Sequence, residues 1–539
     1  MPTTAWWRSA VIYQVYVRSF ADANGDGVGD LAGVRNRLPY LAELGVDALW
    51  FNPWYASPMA DAGYDVADYR AIDPSFGTLA DAEALIREAH DLGLRILVDI
   101  VPNHVSDRHA WFQEALSAGP GSAARELFWF RPGRGSNGQL PPNDWQSVFG
   151  GPAWTRVADG DWYLHLFAPE QPDLNWNNAK VREEHESVLR FWFDRGADGV
   201  RIDSATMPVK DPTLPDFDPA APPVPHPYID QDDVHAIYRA WRAVADSYPE
   251  PRALVGEVWL DDPVRLAAYL RSDEMHTAFN FDYLNCPWDA ERLRAVIDST
   301  LAAHAPVGAP ATWVLSNHDV TRHVTRYGRA DSGMGRNPGQ DGAPWDLTLG
   351  TRRARAALLL NLALPGSCYL YQGEELGLWE VEDIPAALRQ DPIHARSGGA
   401  DQGRDGCRVP LPWSGTEPPF GFSPASATAD PWLPQPTDWS TCTVQAEAAD
   451  PGSMLSLYRT ALRQRRAEPA LRGEEFAWLS APGDRLLAFT RGAGWTCMVN
   501  LSPAPVPLPD GSRVVLASGP LGEDERELPT DTAVWLRQA

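Results

Sequence analysis

The sequence predicts an α/β fold: a (β/α)8 barrel, with an inserted loop-rich subdomain after its third strand and an all-β domain at its C-terminal end. Three observations carry this. Short apolar runs recur, each followed by a helical pattern, and strands alternating with helices make a parallel sheet. The 539 residues are too many for one compact domain but suit a barrel of ~250 residues with insertions plus a smaller partner. From about residue 472 the helical periodicity gives way to successive strands.

The first strand is Ile12–Val17. A helix ending near Leu44-Gly45 leads to the second, Ala48–Phe51. Thr78 and Asp81 form a capping box. The helix it opens carries Leu85, Ile86, Ala89 and Leu92 as an apolar stripe, and Gly93 suits a left-handed stop. Arg95–Val101 is the third strand. The stretch 105–174 then breaks the alternation and is rich in Gly, Pro, Asn and Trp. A long loop of this kind after a strand is a lid or an inserted subdomain. A helix resumes with Val181, Val188, Leu189 and Trp192 on one face and Gly196 at its end. Later barrel strands are Gly199–Ile202, Leu254–Val258, Thr312–Leu315 and Cys368–Tyr371. Pro-rich stretches at 211–227 and 409–438 are further excursions. Ala477–Leu479, Leu486–Phe489, Thr496–Val499 and Arg513–Leu516 are the C-terminal strands. The expected division is a barrel from 1–104 and 175–471, an insertion at 105–174, and a β-sandwich at 472–539.

Composition excludes several classes. A net charge of -26 disfavours nucleic acid and anionic membrane surfaces, which attract basic patches. Five scattered Cys without a CxxC pair argue against a disulfide framework or a zinc site. No run approaches ~18 apolar residues, and the N-terminus lacks a signal peptide, so a cytoplasmic enzyme is expected. The 23 Trp favour carbohydrate only slightly, because indoles stack on sugars but also fill cores.

Catalytic groups of a parallel barrel stand at the carboxyl ends of its strands. Four strands here end in polar residues that have no place in a core: Asp99 with Asn103-His104, Arg201 with Asp203, Glu257 with Trp259, and Asn317-His318-Asp319. Strand period puts Arg201 and Asp203 on one inward face. Carboxylates, an Arg and two His therefore converge at one mouth. A metal site could also gather carboxylates, but Arg201 already supplies positive charge.

With these strand ends the chain resembles the α-amylase clan of glycoside hydrolases, family 13, in its α-glucosidase and oligo-1,6-glucosidase branch. Tyr13-Gln-Val-Tyr16 with Arg18-Ser-Phe20, Gly63-Tyr64-Asp65-Val-Ala-Asp68-Tyr69 and Gln171-Pro172-Asp173-Leu174-Asn175 are similar to motifs of that branch. So are Tyr371-Gln372-Gly373-Glu374-Glu375 and Gly403-Arg404-Asp405-Gly406-Cys407-Arg408. The resemblance implies a retaining, exo-acting α-glucosidase that cuts terminal non-reducing α-linked glucose from short oligosaccharides. Asp203 would be the nucleophile and Glu257 the acid and base, with Asp319 stabilising the transition state. Arg201 would keep Asp203 ionised. His104 and His318 would hold the sugar, Tyr64 and Phe167 would wall it, and Asp65 with Arg408 would close the pocket behind it.

Asp22, Asn24, Asp26, Val28 and Asp30 stand at every second residue of an Asp/Gly loop. Oxygen ligands in that alternation suit a hard cation, Ca2+ or Mg2+. The loop resembles the metal loop that follows the first strand in this branch, with Val28 giving its carbonyl, and the metal would be structural.

Two departures from the branch pattern stand out. Ser204 and Thr206 follow the nucleophile where relatives commonly carry Val or Ala and, often, His. These positions line the leaving-group site and leave the linkage preference open. Val17 replaces a usual Pro. A transglucosylase or sucrose-converting enzyme would carry the same catalytic residues, because only the acceptor differs. A catalytically silent sugar-binding or partner subunit would have to lack the triad Asp203, Glu257, Asp319, which is complete here.

Overall fold

The computed structural model describes residues 5–333, 342–480, 485–492, 494–522, 524 and 526–538. Its centre is a parallel sheet of eight strands: β1 (Val11–Val15), β2 (Ala48–Phe51), β3 (Arg95–Ile100), β4 (Gly199–Ile202), β5 (Ala253–Gly256), β6 (Thr277–Ala278), β7 (Thr312–Val314) and β8 (Ser367–Tyr371). The order is β6-β5-β4-β3-β2-β1-β8-β7. The backbone N–H of Asn280, just past β6, donates to Thr312 O of β7 at 3.3 Å and draws the sheet toward closure. Nearly every strand residue is buried on both sides, as expected when side chains fill the inside and helices cover the outside.

Seven of the strands were legible. β6 was not, because two residues, Thr277 and Ala278, show no periodicity. β5 ends at Gly256, two residues earlier than Leu254–Val258 implied, which leaves Glu257 at the first position beyond the strand. The helix starts followed local chemistry. Thr78 accepts from Asp81 N at 3.2 Å and Asp81 accepts from Thr78 N at 3.0 Å, closing both halves of the box at the head of Leu79–Asp91. Gly93 ends that turn with φ 77°.

The stretch after β3 holds a helix (Ala110–Ala118) and a three-stranded sheet (Phe130–Pro132, Trp154–Arg156, Asp161–Leu164). Its own small core joins Trp129, Trp145, Trp154, Leu164 and Leu166 to Met207, Leu214 and Tyr228. The insertion therefore leans on the excursion that follows β4, directly above the barrel mouth.

At the C-terminal end, β9 (Ala477–Trp478), β10 (Leu486–Thr490), β11 (Trp495–Asn500), β12 (Ser512–Ala517) and β13 (Thr532–Gln538) form one antiparallel sheet, ordered β9-β10-β11-β13-β12. Val506–Pro507 and Glu527–Leu528 pair beside it. Trp535 on β13 is fully buried and donates its indole N–H to Leu359 O at 3.0 Å, docking the sheet on the helix Leu347–Ala363. No helix among the described residues is long and apolar enough to cross a membrane. All five cysteines are free.

Candidate active site

Parallel pairing sets Asp99 of β3 beside Arg201 of β4. The ladder runs on past the strand ends, with Asp203 N donating to Ile100 O at 2.8 Å and Glu257 N to Ile202 O at 2.9 Å. This brings three carboxyls around one guanidinium. Arg201 Nη1 donates to Asp203 Oδ1 at 2.8 Å and to both Asp99 oxygens at 3.0 Å, while Nη2 donates to Glu257 Oε2 at 2.6 Å. The planar fork can serve both catalytic carboxyls at once, which an ammonium could not. Ser204 follows in a left-handed conformation, φ 43°. That turn aims its backbone N–H at Glu257 Oε2, 2.8 Å away.

Electrostatics follow from one cation among three buried acids. Burial pushes the Asp203 carboxyl above the usual range, Arg201 pulls it back, and Glu257 and Asp99 oppose that pull. Burial likewise raises Asp99 to about 7 against Arg201. Asp99 and Asp203 therefore both hold a proton more readily than exposed carboxyls do. Asp319 behaves oppositely. Burial works to raise it, but His318, Arg404 and Arg408 outweigh burial and hold it well below the usual carboxylate range.

One small pocket collects these groups. Asp203, Glu257, Asp319, Tyr64, His104, Phe167, His318 and Ser204 line it, together with Asp61, Phe149 and Arg404. Tyr64 lies flat against His318, with ring centroids 5.3 Å apart and planes 5° apart. Asn52 donates to the Tyr64 hydroxyl at 2.8 Å and the hydroxyl donates to Asp99 at 3.1 Å, fixing that wall. Gln14 lies 2.8 Å from His318 Nδ1. Gln171 Nε2 lies 3.0 Å from His104 Nε2 and donates to Asp61 Oδ2 at 3.1 Å. Below this wall Lys210 pairs with Asp173 at 2.8 Å, both completely buried.

Three expected placements are corrected. The charged pair in the pocket lining is Asp61 and Arg404, 2.7 Å apart, and not Asp65 and Arg408. Asp65 is completely buried and accepts the backbone N–H groups of Ala60 and Asp61, at 2.9 Å each, so it shapes the turn that carries Asp61. Arg408 stands behind the pocket, donating to Asp319 Oδ1 at 3.0 Å and His318 O at 2.8 Å. Thr206 is buried away from the lining, 4% exposed, whereas Ser204 belongs to it. The residues that sequence reading missed had a faint signal. Asp61 and Arg404 each stand four residues before the residue chosen, Arg404 within the motif of Arg408 and Asp61 two residues before the motif that opens at Gly63. Phe149 comes from the insertion, where no periodicity points inward.

Away from the pocket, the Asp22–Asp30 loop is knit by its own amides. Asp22 accepts from Gly25 and Gly27 at 2.6 and 2.9 Å, Asp26 from Val28 at 2.9 Å, and Asp30 from Ala23 at 3.0 Å. Asp30 also caps the helix Leu31–Leu44 through Gly33 N at 2.6 Å. Asn24 and Asp26 side chains meet at 3.1 Å. Among the described residues no three carboxylate, imidazole or thiolate groups gather as a metal cage. A cation here would depend on the mixed set that adds Asn24 and the Val28 carbonyl.

The model of the alpha amylase catalytic domain matches residues 14–474. The chain belongs to the α-amylase family. A domain of unknown function, DUF3459, matches residues 472–535 of this α-amylase family member. It is similar to a probable alpha-glucosidase of Rhizobium meliloti, 38% identical over 93% of this chain and 90% of that one. An oligo-1,6-glucosidase of Parageobacillus thermoglucosidasius is 33% identical over 86% and 84%. Among solved structures, the alpha-glucosyl transfer enzyme XgtA matches with a TM-score of 0.87 at 35% identity, covering both chains completely. The trehalulose synthase MutB of Pseudomonas mesoacidophila MX-45 matches at 0.85 and 29%, over 99% of this chain and 100% of that one. A MutB variant has been solved with its substrate sucrose.

Proposed function

We propose that this α-amylase family member is a retaining, exo-acting α-glucosidase that releases terminal non-reducing α-linked glucose from short oligosaccharides. The observation that carries the reading is the pocket itself. A single guanidinium, Arg201, grips both Asp203 and Glu257 at the barrel mouth, and the Asp61–Arg404 pair lines the same pocket. With that pair closing the far end, the pocket admits one terminal sugar and no chain beyond it.

In this reading Asp203 attacks the anomeric carbon while Glu257 protonates the departing glycosidic oxygen. The C–O electron pair leaves with the aglycone, and a β-glucosyl ester forms on Asp203. Glu257, now ionised, takes a proton from water, whose oxygen displaces Asp203 and yields α-glucose. Asp319, held ionised by two arginines, faces the positive charge that develops on the ring. Asp203→Asn is expected to abolish hydrolysis of p-nitrophenyl α-glucoside while leaving the melting temperature unchanged. Wild-type turnover in that variant would remove the assignment.

The likeness to XgtA supports a second reading, transfer of glucose to a sugar acceptor through the same intermediate. Product analysis on maltose, isomaltose, nigerose and sucrose, side by side, separates hydrolysis from transfer and gives the linkage preference.

For the Asp22–Asp30 loop the reading is a structural Ca2+ or Mg2+ held by Asp22, Asn24, Asp26, the Val28 carbonyl and Asp30. All these donors are oxygen, and each carboxylate oxygen bonded to one amide keeps a lone pair for a cation. Chelation by EDTA is expected to lower the melting temperature, and added Ca2+ to restore it. An unchanged melt rejects the site.

A further inference from the structure

Glu257 has three donors arranged unevenly on its carboxyl group. Oε2 accepts from Arg201 Nη2 at 2.6 Å and from Ser204 N at 2.8 Å. Among the described residues Oε1 accepts from one group alone, the indole N–H of Trp259, at 3.0 Å. Trp259 sits two residues beyond Glu257 and is 42% exposed. Its ring is laid flat on Phe281, with centroids 3.5 Å and planes 5° apart. Phe281 is itself 5% exposed and packed with Phe279 and Leu284, so the indole has a rigid seat.

A carboxyl oxygen offers two in-plane lone pairs. Both on Oε2 are occupied by donors, so the acid proton belongs on Oε1. There one lone pair faces the indole and the other is open to the pocket. We infer that Trp259 is a positioning residue for the acid step: its indole N–H holds Oε1 toward the glycosidic oxygen and stabilises the carboxylate left behind. The step balances within the groups named. The Oε1–H bond breaks, the proton joins the glycosidic oxygen, the C–O electron pair stays on the leaving alcohol, and Glu257 keeps the negative charge. The indole N–H is a stronger partner for ionised than for protonated Oε1, so its benefit is realised as the proton departs.

This inference rests on the α-glucosidase reading above. Trp259→Phe keeps a ring on Phe281 and removes only the donor. General acid catalysis is worth about 10²–10⁴-fold, and the indole governs a part of it. In Trp259→Phe, kcat/KM for methyl α-glucoside or maltose is expected to fall about tenfold. The value for α-glucosyl fluoride, whose leaving group departs with little protonation, stays within about twofold of wild type. The melting temperature is unchanged, since the ring is half in solvent. Equal losses on both substrates, or no loss on either, overturn the role, because a merely structural or sugar-binding tryptophan does not distinguish leaving groups. A wild-type protein that turns over no α-glucoside would instead defeat the functional reading beneath it.

Discussion

The charged pair of the pocket gives the sharpest comparison, because Asp61 and Asp65 lie four residues apart on one turn and do different work. Arg404 donates to Asp61 at 2.7 Å, to Asp319 at 2.9 Å and to Asp391 at 2.6 Å. Arg408 also reaches Asp319 at 3.0 Å and Asp391 at 3.7 Å. Three carboxylates thus face two guanidinium groups, and Asp61→Asn brings that buried set to balance. The fold should therefore tolerate the change. The lost charged contact in the pocket is worth about 1.5–3 kcal/mol, equivalent to about a 10- to 150-fold loss in kcat/KM. Asp65→Asn acts on the backbone instead. A single amide oxygen replaces two carboxylate oxygens, so one of the Ala60 and Asp61 N–H groups loses its acceptor, at about 1–3 kcal/mol of stability. The assay is kcat/KM on maltose alongside thermal melts of both variants. The reasoning is refuted if Asp61→Asn keeps kcat/KM within threefold while Asp65→Asn abolishes it with an unchanged melt.

Two further predictions follow from the buried charges. Arg201→Lys replaces a fork that serves Asp99, Asp203 and Glu257 by a single point charge, and kcat/KM should fall at least about 100-fold; retention of activity would show that the fork is dispensable. Glu374 and Glu447, buried and in no ion pair among the described residues, are each pushed up to about 8 by burial, while an unfolded Glu ionises near pH ~4.3. Between those values the folded chain holds protons that the unfolded chain has lost, so stability is greatest below pH ~4.3 on this account and is lost as pH rises through about 8. Melting temperatures measured from pH 5 to 9 should show that decline, and Glu447→Gln should flatten it; a variant curve parallel to wild type would dismiss the contribution of Glu447.

Local and periodic features of this protein were readable from the chain alone. The alternation of strands and helices predicted a barrel, the Thr78–Asp81 box marked a helix head, and polar residues at strand ends marked the mouth where Asp203, Glu257 and Asp319 meet. These signals are legible because the strand period and helix-capping chemistry act over a few residues. What the tertiary structure decided is which distant groups touch. β6 is too short to carry a period and exists through its neighbour in the sheet. Asp61 and Arg404 are separated by more than 340 positions, and only the folded loops select them over Asp65 and Arg408, four residues away in each case. Phe149 reaches the pocket because the insertion packs on the loop after β4. Trp259 meets Glu257 Oε1 because Phe281, from beyond β6, seats its ring. Pairings of that kind depend on loop trajectories set by the packing of the whole barrel, and no short-range pattern encodes them.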